Sequence, residues 1–81
     1  MSRTLGSLRH RALVELVIRE RKAAGLTQMQ VAKKLRRYQS YITLLETGQR
    51  RLDVVEFMDI ADAIGFDATA AIRRLYKIPK K

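Results

Sequence analysis

Residues 27–48 read TQMQVAKKLRRYQSYITLLETG, the pattern of two short helices joined by a tight turn. Thr27 followed three residues later by Gln30 is a capping-box pair: the hydroxyl accepts from a free backbone N–H and the amide reaches back to the cap. A helix therefore begins here. Val31, Ala32 and Leu35 fall on one face at the 3.6-residue period, while Gln28, Lys33 and Lys34 point elsewhere. Ala32 is small where a second helix would cross closely. In residues 39–47, Ile42 and Leu45 lie on an inner face, and Gln39, Ser40, Thr43 and Leu44 face outward. Gly48 suits the left-handed residue that ends a helix. The pair offers only a thin apolar stripe, so the rest of the chain must supply its core.

The stretch resembles the helix-turn-helix of the phage-repressor family of small DNA-binding regulators, which includes the Cro, lambdoid-repressor and Xre-type proteins. The likeness rests on GLTQ at residues 25–28, Ala32 at the fifth position of the first helix, Ile42 within the second, the E-x-G of Glu46 and Gly48, and LDVVEF at residues 52–57. It extends over about residues 13–75. Two positions depart from the pattern: Arg36 stands where the family usually has Gly, and Arg37 where it has an apolar residue. A left-handed Arg36 costs about 1 kcal/mol or somewhat more relative to Gly. The resemblance implies an all-α, five-helix, lambda-repressor-like domain with the helix-turn-helix at helices two and three. Residues 1–81 form that single domain, with residues 1–6 as a flexible arm and residues 77–81 as a basic tail.

Composition sets the bounds. Eighty-one residues make one small domain with a marginal core. The absence of cysteine removes disulfide and thiolate chemistry and fits a reducing cytoplasm. Neither a signal peptide nor a membrane span is expected, because the apolar runs are too short. The net charge of +9 is unevenly spread. Lys33, Lys34, Arg36, Arg37, Arg50 and Arg51 surround the second helix of the pair, opposed there only by Glu46. Asp53, Glu56, Asp59, Asp62 and Asp67 form an acidic stretch without Lys or Arg. An electrically two-sided molecule follows, with a basic face suited to a polyanion such as nucleic acid.

Outside the pair, Ser7 is placed as the N-cap of a first helix over residues 8–24, with Leu13, Leu16, Val17, Glu20 and Ala24 near one face. His10, between Arg9 and Arg11, lacks any partner at ligand spacing and is expected to be a surface histidine. Asp53 and Glu56 repeat the capping-box logic for a fourth helix ending at Gly65. Its expected core stripe is Val54, Phe57, Met58, Ala61 and Ile64. Asp67 caps a fifth helix with Ala71, Ile72 and Leu75 directed inward. Tyr76 and Ile78 carry apolar character beyond what a monomer needs to bury, which suggests a subunit contact.

A helix about 10–12 Å across fits the major groove, where each base pair shows a distinct pattern. Gln39 suits an adenine edge, Ser40 and Thr43 are short polar readers, and Leu44 faces either a thymine methyl or the fourth helix. Gln28 is implied by the resemblance to hold a phosphate and brace Gln39; Tyr38, Tyr41, Arg37, Arg50 and Arg51 are placed on the DNA backbone. The resemblance also pairs Arg21 with Glu46 as a structural salt bridge. The reading is a sequence-specific, double-stranded-DNA-binding regulator, most simply a cytoplasmic, nucleoid-associated repressor, acting on a pseudo-palindromic operator as a homodimer joined through the fifth helix and tail. The alternatives are an antitoxin that also binds a toxin and its own promoter, or a restriction-modification controller. No enzyme activity, cofactor or metal is expected.

Overall fold

The computed structural model describes residues 7–80, so the expected arm at residues 1–6 and the final Lys81 of the basic tail lie outside the described residues. Five helices follow one another: α1 (Leu8–Ala23), α2 (Gln28–Leu35), α3 (Gln39–Glu46), α4 (Val54–Ile64) and α5 (Ala68–Tyr76). No strand occurs among the described residues. Local chemistry sets most of the ends. Ser7, Thr27, Asp53 and Asp67 each accept a hydrogen bond from the third backbone N–H of their helix, and Thr27/Gln30 and Asp53/Glu56 complete capping boxes. Ala24 and Thr47, expected as the last helical residues of α1 and α3, are instead their C-caps.

Four of the helices close on a residue with positive φ. After α1, α3 and α4 that residue is Gly25, Gly48 or Gly65; after α2 it is Arg36, at φ 59° and ψ 43°. The Arg36 N–H donates to the Lys33 carbonyl and the Arg37 N–H to the Ala32 carbonyl, as in a Schellman cap. The turn therefore keeps a left-handed geometry despite its missing glycine.

The core joins Leu16 and Val17 of α1, Val31 and Ala32 of α2, Tyr41, Ile42 and Leu45 of α3, Phe57, Ile60 and Ile64 of α4, and Ala71 of α5. Phe57 packs on Phe66 with ring centroids 5.8 Å apart. Burying these groups is the main source of stability, because α2, α3 and α5 are far too short to persist alone.

Three expectations about the core are corrected. On α4 the buried face is Phe57, Ile60, Ala61 and Ile64, whereas Val54 and Met58 are 72% and 47% exposed. At 100° per residue those two lie about 70° and 110° from the centre of the observed face. On α5, Ile72 is also outside, next in sequence to the fully buried Ala71 that sets the close approach. His10 is buried rather than at the surface, since it shares a helical face with Leu13, Val14 and Val17 at i, i+3, i+4 and i+7.

Candidate nucleic-acid interface

Helix α3 owes its position to its inner side. Ile42 and Leu45 are buried against α1 and α2, leaving Gln39 and Ser40 exposed, Leu44 40% exposed and Thr43 partly covered. The helix is also distinct in its start. Its N-cap, Tyr38, makes no side-chain hydrogen bond to the first turn, whereas the other four helices are capped by Ser, Thr or Asp. Free backbone N–H groups and the positive end of the helix dipole thus face outward beside Tyr38, which is 88% exposed.

A chain of charge-assisted hydrogen bonds sets the orientation of the outer side chains. Arg21 forks onto Glu46, with Nε to Oε2 at 2.6 Å and an Nη to Oε1 at 2.9 Å, and a third donor reaches the Leu26 carbonyl. Both partners are nearly buried, so the pair is screened little by water. Gln28 donates Nε2 to Glu46 at 2.9 Å. Its Oε1 must then face α3, where it accepts from the Thr43 hydroxyl at 3.0 Å and, more weakly, from Gln39 Nε2 at 3.4 Å. The carboxylate thereby fixes which way the Gln28 amide points, and that amide restrains two of the outward groups.

A second cluster borders the same surface. The Arg37 and Arg50 guanidiniums lie 4.2 Å and 4.7 Å from the centroid of the Tyr41 ring. Glu56, reaching back from the first turn of α4, takes a bidentate pair of hydrogen bonds from Arg50, both at 3.1 Å, and stands 3.7 Å from Arg37. Hydrogen bonding from Arg50 first, and from the Asp53 N–H second, holds the Glu56 carboxyl below its usual pKa. Burial, then the Glu56 charge, pushes the Tyr41 phenol up, while the two arginines pull it down. An open groove of about 650 Å³ runs along this edge, lined by Arg36, Arg37, Tyr38, Ser40, Tyr41, Leu44 and Arg50.

This arrangement bears on two expectations. The basic flank is opposed by Glu56 as well as by Glu46, so one acid of the supposed acidic stretch sits among the arginines, because the capping box folds it back there. Tyr41, expected on the DNA backbone through its hydroxyl, is only 9% exposed, though it lines the groove. Its ring is a shelf for two guanidiniums. Arg50 is partly engaged, with its Nη1 also donating to the Arg51 carbonyl, while Arg37 and Arg51 remain outward. Spacing alone gave no sign that Glu56 and Tyr41 meet, since they are fifteen positions apart on different helices.

Behind α3, a small pocket of about 10 Å³ lies among His10, Leu13, Val17, Leu45, Glu46, Arg50 and Leu52. His10 Nε2 is buried without a hydrogen-bond partner among the described residues. Burial, then the charge of Arg51, lowers its pKa from the ordinary 6.5. Arg9 secures the end of α5, donating to the Ile78 and Tyr76 carbonyls at 2.9 Å and 3.3 Å and lying over the Tyr76 ring.

A helix-turn-helix domain model matches residues 1–75. An XRE-family like protein from Pseudomonas syringae pv. tomato is 44% identical and superposes with a TM-score of 0.81, over 84% of this chain and 83% of that one. The restriction-modification controller protein C.Esp1396I superposes with a TM-score of 0.79 at 21% identity, over 89% of this chain and 95% of that one. The clp gene regulator ClgR from C. glutamicum gives 0.76 at 20% identity, over 85% and 90%. The last two share the fold. No curated protein sequence matches.

Proposed function

This chain belongs to the Xre-type helix-turn-helix family of DNA-binding transcription regulators, and from that premise we propose that it is a repressor reading a pseudo-palindromic operator through α3. The observation that carries this reading is the outward presentation of Gln39, Ser40 and Leu44 on a helix whose opposite side is locked in the core. Gln39 is the reader with both donor and acceptor capacity, and it suits the N6 and N7 of adenine. Thr43 donates its proton to Gln28 and so offers lone pairs outward. Leu44, 40% exposed and lining the groove, suits a thymine methyl.

Backbone contacts come from the uncapped first turn of α3 and from Tyr38, Arg37 and Arg51, with Arg50 held alongside. Gln28 sits at the first turn of α2, where its amide braces the readers and its position suits a phosphate. Repression then needs nothing beyond occlusion of a promoter. The operator is met by a homodimer. The outer side of α5 supports it, because Ile72 and Tyr76 lie one turn apart and are 42% and 73% exposed.

Selection from a random duplex pool tests the reading. An enriched inverted repeat is the expected result; uniform recovery of all sequences contradicts it.

A further inference from the structure

The cluster on the Tyr41 ring contains an acid exactly where an acid should weaken binding of a polyanion, and that placement has a use. Glu56 holds both oxygens against the Arg50 fork at 3.1 Å, stands 3.7 Å from Arg37, and accepts from the Asp53 N–H at 3.0 Å. Its side chain is only 14% exposed, while those of Arg37 and Arg50 are 46% and 36% exposed. The carboxylate is thus on the inner side of the two cations, and their open sides face the groove bordered by Tyr38 and Ser40. An arginine side chain left free in water samples many rotamers, and holding it for one phosphate costs conformational entropy. Glu56 and the Tyr41 ring bear that cost during folding.

Resting on the DNA-binding reading above, we infer that Glu56 is a positioning residue: it fixes Arg37 and Arg50 on Tyr41 as a preformed clamp for a DNA backbone phosphate beside the start of α3. The arginines touch the phosphate; Glu56 does not. Two effects of opposite sign follow from the carboxylate. Its charge repels the phosphate through solvent, and its hydrogen bonds preorganise the donors. The near-burial of Glu56, its low pKa and its distribution over two guanidiniums make the second effect the larger.

Glu56→Gln separates them. It removes the charge yet keeps an acceptor for the Asp53 N–H, as Gln30 does for Thr27 at 2.8 Å, so the α4 cap survives. Affinity is measured on the selected operator and on a scrambled duplex between 50 and 200 mM salt, with thermal unfolding as the folding check. The expected result is a loss of about five- to tenfold on both duplexes, with the slope of log affinity against log salt shallower by about one. Asp59→Asn removes an equal charge from the same helix without touching the cluster, and it should tighten binding by about twofold or less. Should Glu56→Gln fail to fold, Arg37→Lys keeps the charge but loses the planar stacking, and it should show the same uniform loss. Unchanged or tighter binding by Glu56→Gln, a loss confined to the operator, or an Arg37→Lys variant equal to wild type overturns the assignment while leaving the repressor reading intact. A wild-type chain that binds neither duplex overturns both.

Discussion

Arg36 is the described non-glycine residue with positive φ, at 59°. The strain is about 1 kcal/mol relative to glycine, and three neighbouring helix ends use glycine for the same turn. Arg36→Gly should therefore stabilise the domain by about 1 kcal/mol, raising Tm by about 4–8 °C in a protein of this size. Because Arg36 also borders the groove beside α3, the same variant should bind all duplexes somewhat less tightly. A thermal melt with no gain would show that the turn rearranges. Gln39 belongs to the other class of residue, exposed and without a structural duty beyond a 3.4 Å contact to Gln28. Gln39→Ala should cost about 1–3 kcal/mol of operator binding and relax preference at one position per half-site, with unfolding unchanged.

Between elements, the Arg21–Glu46 pair fastens α1 to the end of α3, and both side chains are nearly buried. Arg21→Ala leaves a nearly buried carboxylate without a counter-charge, held only by the Gln28 amide, and should destabilise by about 3–5 kcal/mol, read by denaturant unfolding. His10 marks the second joint, where the start of α1 packs on the segment carrying Arg50 and Leu52. The pocket there is only about 10 Å³ and mostly apolar in its lining, and Nε2 has no hydrogen-bond partner among the described residues to offset the loss of bulk solvent. The folded state disfavours the imidazolium, which also sits at the positive end of the α1 dipole with Arg51 nearby, while Glu46 across the pocket is committed to Arg21. The unfolded chain then binds the extra proton. Stability should be full above about pH 6.5 and fall as the pH drops through that value toward the lower folded pKa. His10→Leu should flatten that part of the stability profile; an unchanged profile would assign it to other groups. The helix ends were legible because caps are local: Thr27 with Gln30 and Asp53 with Glu56 announce α2 and α4 within four residues. The phase of α4 was not. VVEFMDIADAI carries apolar residues at two overlapping phases, and only packing against α2 and α5 selects between them. His10 was legible in principle, because i+3, i+4 and i+7 are Leu13, Val14 and Val17; its polarity masked the pattern. Glu56 among the arginines is a tertiary event that no spacing announces.

The described chain measures 33 × 27 × 21 Å, about one turn of B-DNA in its longest dimension, a size that suits the proposed binding of one copy per half-site with halves about 34–36 Å apart. With a net charge of +9, binding should weaken by orders of magnitude between 50 and 200 mM salt as phosphate contacts release counterions. Sedimentation with operator DNA should return two copies per duplex, and a Tyr76→Asp variant should favour one. Groove choice is the most direct test. Methylation of a bound operator by dimethyl sulfate reports guanine N7 in the major groove and adenine N3 in the minor groove. Protection of guanine N7 in each half-site, with adenine N3 left reactive, is the expected result. Protection confined to adenine N3 would contradict the placement of α3 against the bases.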